Sequence, residues 1–400
     1  MSGGAATAVN PSAWTQYPVG AWLAEHGGQR LDLGQLIGGL CDRLLAERVP
    51  LWRVVVGVNS IHPEVAARSV VWERGKQGVV RRDFSYSMRD ADTYVQSPVR
   101  LIHEGAGAIR RRLEGPDAQL DFPVLKELAG KGATDYVIMP ILYTTGRINF
   151  ISWTSDRPGG FSKANLTLLY DLLPLISLRV EIAAGLDNIA TMLNVYLGRE
   201  PAKRVMAGTV RRGEVETIRA AVWVSDLRNF TSLSDRLPAP EVVRLLDTYF
   251  ELAARPIEDG KGEILKFIGD GILAIFPVDG DERVACRTAL DAATALLDAL
   301  DAENARRREE DRPDIRCGVG LHLGDVQYGN IGARERLDFT VIGRAVNEAS
   351  RVEALCKVLG RRMLATGAFA RAVGLNSLVS CGVHALRGVR EPQEIFGLRE

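Results

Sequence analysis

The chain has 400 residues, 46% hydrophobic and 25% charged, with 50 basic and 50 acidic side chains in balance. Such a chain is long enough for two or three domains with substantial cores, and its cancelled charge excludes a global field that would gather nucleic acid or an anionic membrane. The five cysteines, Cys41, Cys286, Cys317, Cys356 and Cys381, lack Cys-x-x-Cys spacing, which argues against a disulfide framework or a zinc ribbon and for a reducing compartment.

Residues 1–28 are small, polar and Gly-rich and read as a loose arm, with Trp14, Tyr17 and Trp22 able to dock. A helix follows, on the apolar spacing of Leu31, Leu33, Leu36, Ile37, Leu40, Leu44 and Leu45. Trp52 to Val58 and Ala67 to Trp72 read as buried strands, and the stretch after them, to about Pro123, as a variable polar region. Asp135 to Tyr143 and Arg147 to Trp153 flank a Thr-Thr-Gly turn and read as a hairpin. Pro158-Gly-Gly-Phe-Ser162 closes it, with Ser162 placed to cap an apolar helix from Leu166 to Ile182. Clusters such as Arg110 to Arg112 read first as solvated surface.

This order of helix, strands, hairpin, Pro-Gly-Gly-Phe-Ser and helix resembles a GAF-type sensory domain over residues 29–183. The resemblance implies an α/β regulatory or dimerisation domain with room for an unidentified small-molecule ligand. His62, His103, Trp72 and Trp153 are the candidate lining residues, and a surface or core role is the stronger reading of each. Residues 184–214 then read as a helical linker. Leu178, Ile182, Leu186, Ile189, Leu193 and Tyr196 recur at spacings of four and three, a stripe able to pair with its copy in a parallel coiled coil. Gly198 ends it.

Residues 215–400 carry sharper chemical signals. Ala220 to Asp226 reads as a strand ending on a carboxylate, and Ser225-Asp-Leu-Arg-Asn-Phe-Thr-Ser232 runs from that end into a helix start. Backbone N–H groups exposed along this segment can receive phosphate oxygens. Gly269-Asp-Gly271 lies between two apolar runs as a hairpin turn. Asp226 and Asp270 at neighbouring strand ends make a Mg²⁺ site of the kind that grips substrate phosphates. Further along, Asn347 and Arg351 stand four apart and share one face if helical.

Four segments, Ser225-Asp-Leu-Arg-Asn-Phe-Thr231, Lys266-Phe-Ile-Gly-Asp-Gly271, Gly329-Asn-Ile-Gly332 and Thr340-Val-Ile-Gly-Arg-Ala-Val-Asn347 through Arg351, together resemble the class III nucleotide cyclase catalytic domain. The resemblance implies a ferredoxin-like α/β (α+β) domain, active as a homodimer with sites shared between subunits, that converts ATP to 3′,5′-cyclic AMP and pyrophosphate. It makes Asp226, Leu227 and Asp270 the metal positions for two Mg²⁺ or Mn²⁺ ions. It makes Lys266 and Thr340 the adenine readers, with Phe230, Thr231 and Arg387 as further substrate contacts. Asn347 is implied to orient the ribose and Arg351 to offset charge on the transferring phosphoryl group. Guanylate-selective relatives carry Glu and Cys-like residues at the reader positions, so this pair favours adenine. Arg344 departs from the Asp common after Val-Ile-Gly and reads as surface variation. The expectation is a cytoplasmic adenylate cyclase with no membrane span and no nucleic-acid partner, regulated by its N-terminal domain. The alternatives are a guanylate cyclase or a catalytically silent sensor.

Overall fold

The structure, a computed structural model, describes residues 17–25 and 31–399. The chain divides into two compact units, residues 1–192 and 193–400. Among the described residues no helix is long and apolar enough to cross a membrane.

In the first unit the elements run α1 (Pro18–Glu25), α2 (Leu33–Ala46), β1 (Arg53–Asn59), β2 (Val65–Glu73), β3 (Val79–Ser85), α3 (Asp92–Val95), α4 (Pro98–His103), β4 (Ile109–Arg112), α5 (Pro123–Gly130), β5 (Asp135–Leu142), β6 (Ile148–Ser155) and α6 (Lys163–Leu197). The strands form one antiparallel sheet in the order β3-β2-β1-β6-β5-β4. Successive side chains of a strand point to opposite faces. On β5, Val137, Met139 and Ile141 therefore face the cluster built with α1, α2 and α6, while Tyr136 and Ile138 face a second cluster with Ile102, Leu125 and Leu128. Asp32 caps α2 by accepting from the Gln35 amide, and the Gln35 side chain returns the bond, a reciprocal capping box.

Several sequence expectations change here. The polar region between β2 and Pro123 contributes both edge strands, β3 and β4, where half-exposed sequences carry little apolar alternation. Residues 18–25 of the expected loose arm form α1, which buries Val19 and Leu23 and sets Trp22 beneath the Arg43 guanidinium, 4.1 Å from the ring centre. Trp14 lies outside the described residues. Arg110 is no solvated surface residue: its Nε and Nη2 donate to the fully buried Asp135 carboxylate at 3.1 and 2.6 Å, and the Phe161 amide donates to it at 2.9 Å. That carboxylate is what fastens the Pro158 to Ser162 loop.

The four candidate lining residues do not converge. Trp72 and Trp153 are core, His62 accepts from the Glu64 amide in its own loop, and His103 bonds the Tyr94 hydroxyl at 3.0 Å. The Leu166 to Ile182 helix continues as α6 across the 183/184 boundary to Leu197, where Gly198 (φ +88°) stops it. Four residues of its apolar stripe are exposed, Leu178, Ile182, Ile189 and Tyr196 at 48%, 55%, 51% and 72%, while Leu186 and Leu193 are part-buried.

The second unit comprises α7 (Arg199–Met206), β7 (Val215–Leu227), α8 (Phe230–Ser234), α9 (Ala239–Asp259), β8 (Glu263–Ile268), β9 (Gly271–Pro277), α10 (Glu282–Glu309), β10 (Cys317–Gly332), β11 (Leu337–Ile342), α11 (Arg344–Leu359), β12 (Met363–Thr366), α12 (Gly367–Val373), β13 (Val379–His384) and β14 (Gln393–Gly397). Its sheet has the order β13-β14-β12-β10-β7-β9-β8, with β11 paired to the far half of β10. β7 alternates across the sheet. Ala221 and Trp223 enter a core shared with α9, α10 and α12, and Ala220 and Val222 enter one shared with α11. α11 lies directly on β10 because Gly320 has no side chain: a Cβ there would come within 2.4 Å of the Glu353 amide nitrogen.

Candidate active site

Asp226 is the penultimate residue of β7, and Asp270 sits in the two-residue turn joining β8 to β9. The antiparallel register pairs Asp226 with Gly271, so the neighbouring Asp270 is carried to the end of β7 across 44 residues of sequence. The turn is tight because Gly269 takes φ +63°, a conformation that costs glycine nothing. Below Asp226 the strand end is fixed by Ser225, whose fully buried hydroxyl accepts from the Trp223 indole at 3.0 Å and the Tyr249 hydroxyl at 2.8 Å.

The two carboxylates meet at close range. Burial first, then the charge of Asp270 and a hydrogen bond with it, push Asp226 up to about 6, while the nearby Arg228 guanidinium pulls it down. A pair of half-buried acids with this mutual repulsion suits a divalent ion, which would neutralise both. Leu227 buries its side chain and can offer such an ion only its main-chain carbonyl. Among the described residues no group of three or more His, Cys, Asp or Glu side chains forms a metal cluster; the donor set is this pair of carboxylates, which leaves coordination positions for phosphate oxygens and water.

The purine-reading positions lie on β8 and β11. Lys266 Nζ is 3.1 Å from Asp338 Oδ2. Asp338 is two residues before Thr340 on β11, so both side chains leave the same face of the strand. Thr340 is 5% exposed and its hydroxyl has no hydrogen-bond partner among the described residues. A buried polar atom left unsatisfied is costly, and here it stands on the strand that also holds Lys266 through Asp338. Asp338 has no place in the sequence reading; its signal was the period of two from Thr340.

Asn347 and Arg351 share the exposed face of α11, the face turned away from β10. Neither makes a side-chain hydrogen bond or ion pair among the described residues. Phe230 packs onto the main core and Thr231 is exposed at the start of α8, so this segment presents backbone rather than the Phe230 ring. Arg387 is exposed in a turn after β13. Arg344 is more than surface variation: its head is 76% exposed, but its Nε donates at 2.6 Å to the buried Glu348 carboxylate, which also accepts from Gln393 at 2.9 Å. The substitution therefore helps seat the first turn of α11.

The structure thus joins Asp226 to Asp270, and Lys266 to the strand of Thr340, and sets Asn347 beside Arg351. Among the described residues of one chain no hydrogen bond or ion pair links these three groups to one another.

Comparison with known proteins agrees with the motif segments. The profile of the family "Adenylate and Guanylate cyclase catalytic domain" matches residues 215–363. An adenylate cyclase of Anabaena cylindrica is 37% identical over 163 residues, 40% of this chain and 32% of its own length. A terminal-differentiation-specific adenylate cyclase of Dictyostelium discoideum is 34% identical over 220 residues, 55% of this chain and 10% of its own length. The aligned part thus spans about a third or less of these curated relatives. Among solved structures, the adenylyl cyclase CyaB from P. aeruginosa aligns with 25% identity and a TM-score of 0.43, covering 47% of this chain and 96% of that one.

Proposed function

We propose, from the match of residues 215–363 to the adenylate and guanylate cyclase catalytic domain family, that the chain is an adenylate cyclase, converting ATP to 3′,5′-cyclic AMP and pyrophosphate as a homodimer. The observation that carries the reading is the juxtaposition of Asp226 and Asp270 at adjoining strand ends, with Asp226 held near 6 by burial and by its neighbour. Two such acids repel each other once both are ionised, and a cation with a polyphosphate would offset that repulsion.

In the reaction the ribose 3′-oxygen bonds to the α-phosphorus, the bond from that phosphorus to the bridging oxygen of the β-phosphate breaks, and pyrophosphate leaves with both electrons. The 3′-hydroxyl proton passes to solvent. Two Mg²⁺ or Mn²⁺ ions held by Asp226, Asp270 and the Leu227 carbonyl would supply charge neutralisation at the attacking oxygen and along the phosphates. The chain's own groups do the rest. Lys266 donates to adenine N1, and Thr340 satisfies its buried hydroxyl by accepting from the exocyclic amine. Asn347 orients the ribose, and the Arg351 guanidinium offsets charge that develops on the phosphoryl oxygens.

A shared site is favoured because Asn347 and Arg351 face away from the sheet of their own chain while the carboxylate pair lies at its strand ends. Two-fold symmetry then makes two equivalent centres. The partly exposed stripe from Leu178 to Tyr196 supports pairing of the N-terminal units along α6 as the route by which they regulate the catalytic pair. The direct test is cyclic nucleotide formation by the purified full chain with Mn²⁺ or Mg²⁺, ATP beside GTP. Cyclic AMP in excess over cyclic GMP is expected. No product with either nucleotide would overturn the assignment, and GTP preference would overturn the base reading alone.

A further inference from the structure

Arg228 lies two residues beyond Asp226, and its side chain crosses the neighbouring strand instead of turning to solvent. It passes over Gly318, the β10 residue paired with Asp226; a Cβ at Gly318 would fall 1.5 Å from the guanidinium Nη2. The same Nη2 then reaches α11, 2.9 Å from Glu353 Oε1 and 3.2 Å from the Glu353 main-chain oxygen. Arg228 and Glu353 side chains are 19% and 9% exposed. Gly318 and Gly320 alternate onto one face of β10, the first leaving room for the guanidinium and the second for the backbone of α11 at Glu353. A pair so withdrawn from water adds little net stability against a well-packed apolar alternative. What it does fix is distance: the strand end that carries Asp226 is tied to the helix that carries Asn347 and Arg351.

Resting on the shared-site reading above, we propose that the Arg228–Glu353 pair is a strut that makes the two active centres of one dimer depend on each other. In each chain it joins the metal-holding end of β7, which serves one centre, to α11, which lends Asn347 and Arg351 to the opposite centre. Arg228 and Glu353 touch neither substrate nor reacting atoms; they are positioning residues for two sites at once. Displacement of either end is transmitted through this salt bridge, which runs over the two side-chain-free positions.

A dimer with one intact centre separates the two roles. One chain carries Asp270→Ala and the other Arg351→Ala, with different affinity tags, so that the surviving centre takes its carboxylates from the Arg351→Ala chain and its Asn347 and Arg351 from the Asp270→Ala chain. Glu353→Gln is then added to one chain at a time. In the Asp270→Ala chain it loosens α11 of the surviving centre, and kcat should fall about ten- to a hundredfold at an unchanged Mn²⁺ requirement. In the Arg351→Ala chain it loosens the carboxylate end, and half-saturation by Mn²⁺ should rise by roughly tenfold. A readout without turnover accompanies these: Mn²⁺ binding to the Glu353→Gln homodimer, followed by electron paramagnetic resonance, should weaken to a similar degree. Thermal unfolding checks integrity, and Arg228→Lys, which keeps the charge, replaces Glu353→Gln if the latter unfolds. A reference dimer that is active but insensitive to the change in either chain, or sensitive in only one, overturns the strut. A reference dimer with no activity despite confirmed chain exchange overturns the shared-site reading, and the strut falls with it.

Discussion

Asp270→Asn should make the metal-free protein more stable while removing its activity. Asp226 rises from its ordinary 3.8 to about 6 in the folded chain, with burial the largest cause and Asp270 the next. At about 1.36 kcal/mol per unit the whole displacement corresponds to roughly 3 kcal/mol. Asp226 is only partly buried, so screening reduces that figure, and only the Asp270 share is relieved by the substitution; about 1 kcal/mol remains. The sign follows from linkage. A carboxyl whose folded value lies above its unfolded value contributes stability that is complete below about 3.8 and is lost as pH rises through 6. The advantage of Asp270→Asn should therefore be present at pH 7.5 and vanish near pH 5, where Asp226 already holds its proton. In a unit of this size 1 kcal/mol is about 2–4 °C in midpoint. The assay is thermal unfolding with a chelator at both pH values, then with Mn²⁺, which should raise the wild-type midpoint and leave the variant's unmoved. A variant less stable than wild type at pH 7.5 without metal, or a difference that does not change with pH, would refute the reasoning.

Other outcomes follow from the same geometry. Thr340→Val keeps the shape of a buried side chain whose hydroxyl has no partner among the described residues; folding stability should hold or rise slightly while KM for ATP increases by about tenfold, and an unchanged KM would remove Thr340 from the adenine site. Lys266→Glu with Thr340→Cys inverts the donor and acceptor pattern, so the ratio of kcat/KM for GTP to that for ATP should rise by at least about a hundredfold; an unaltered ratio would show that the base is read elsewhere. Asp270→Ala homodimers should be inactive and Arg351→Ala homodimers nearly so, and mixing them should restore one centre per mixed dimer, measured as cyclic AMP after chain exchange. Arg351→Ala alone should lower kcat by about 10²–10³-fold with the midpoint of unfolding unchanged, since the side chain is exposed and makes no hydrogen bond or ion pair among the described residues.

The sequence was most legible where chemistry and local geometry coincide. Gly269 and Asp270 between apolar runs specify a hairpin whatever surrounds them, because a two-residue turn needs the positive φ that glycine supplies. Asn347 and Arg351 share a face by helical period alone, and the strands around Val137 and Trp223 declare themselves by unbroken apolar content. Edge strands β3 and β4 were illegible because one or both of their faces meet water, so no alternation marks them. α1 was hidden in a polar arm, since two buried residues, Val19 and Leu23, are enough to dock a helix of eight.

Identity and spacing along the chain named Asp226 and Asp270 as acids at strand ends, but only the β7–β9 register brings them against each other, because a sheet pairs residues by position across strands and not by distance in sequence. Asp338 as the partner of Lys266, Glu348 as the seat of Arg344, and Arg228 reaching Glu353 across Gly318 were likewise decided by tertiary structure. A charged residue's partner is whichever opposite charge the fold places within a few ångströms, and 125 residues separate Arg228 from Glu353. The sequence determined which groups this protein has for phosphate and base chemistry; two glycines of β10, Gly318 under the Arg228 guanidinium and Gly320 under α11, decided how one strand end is tied to that helix.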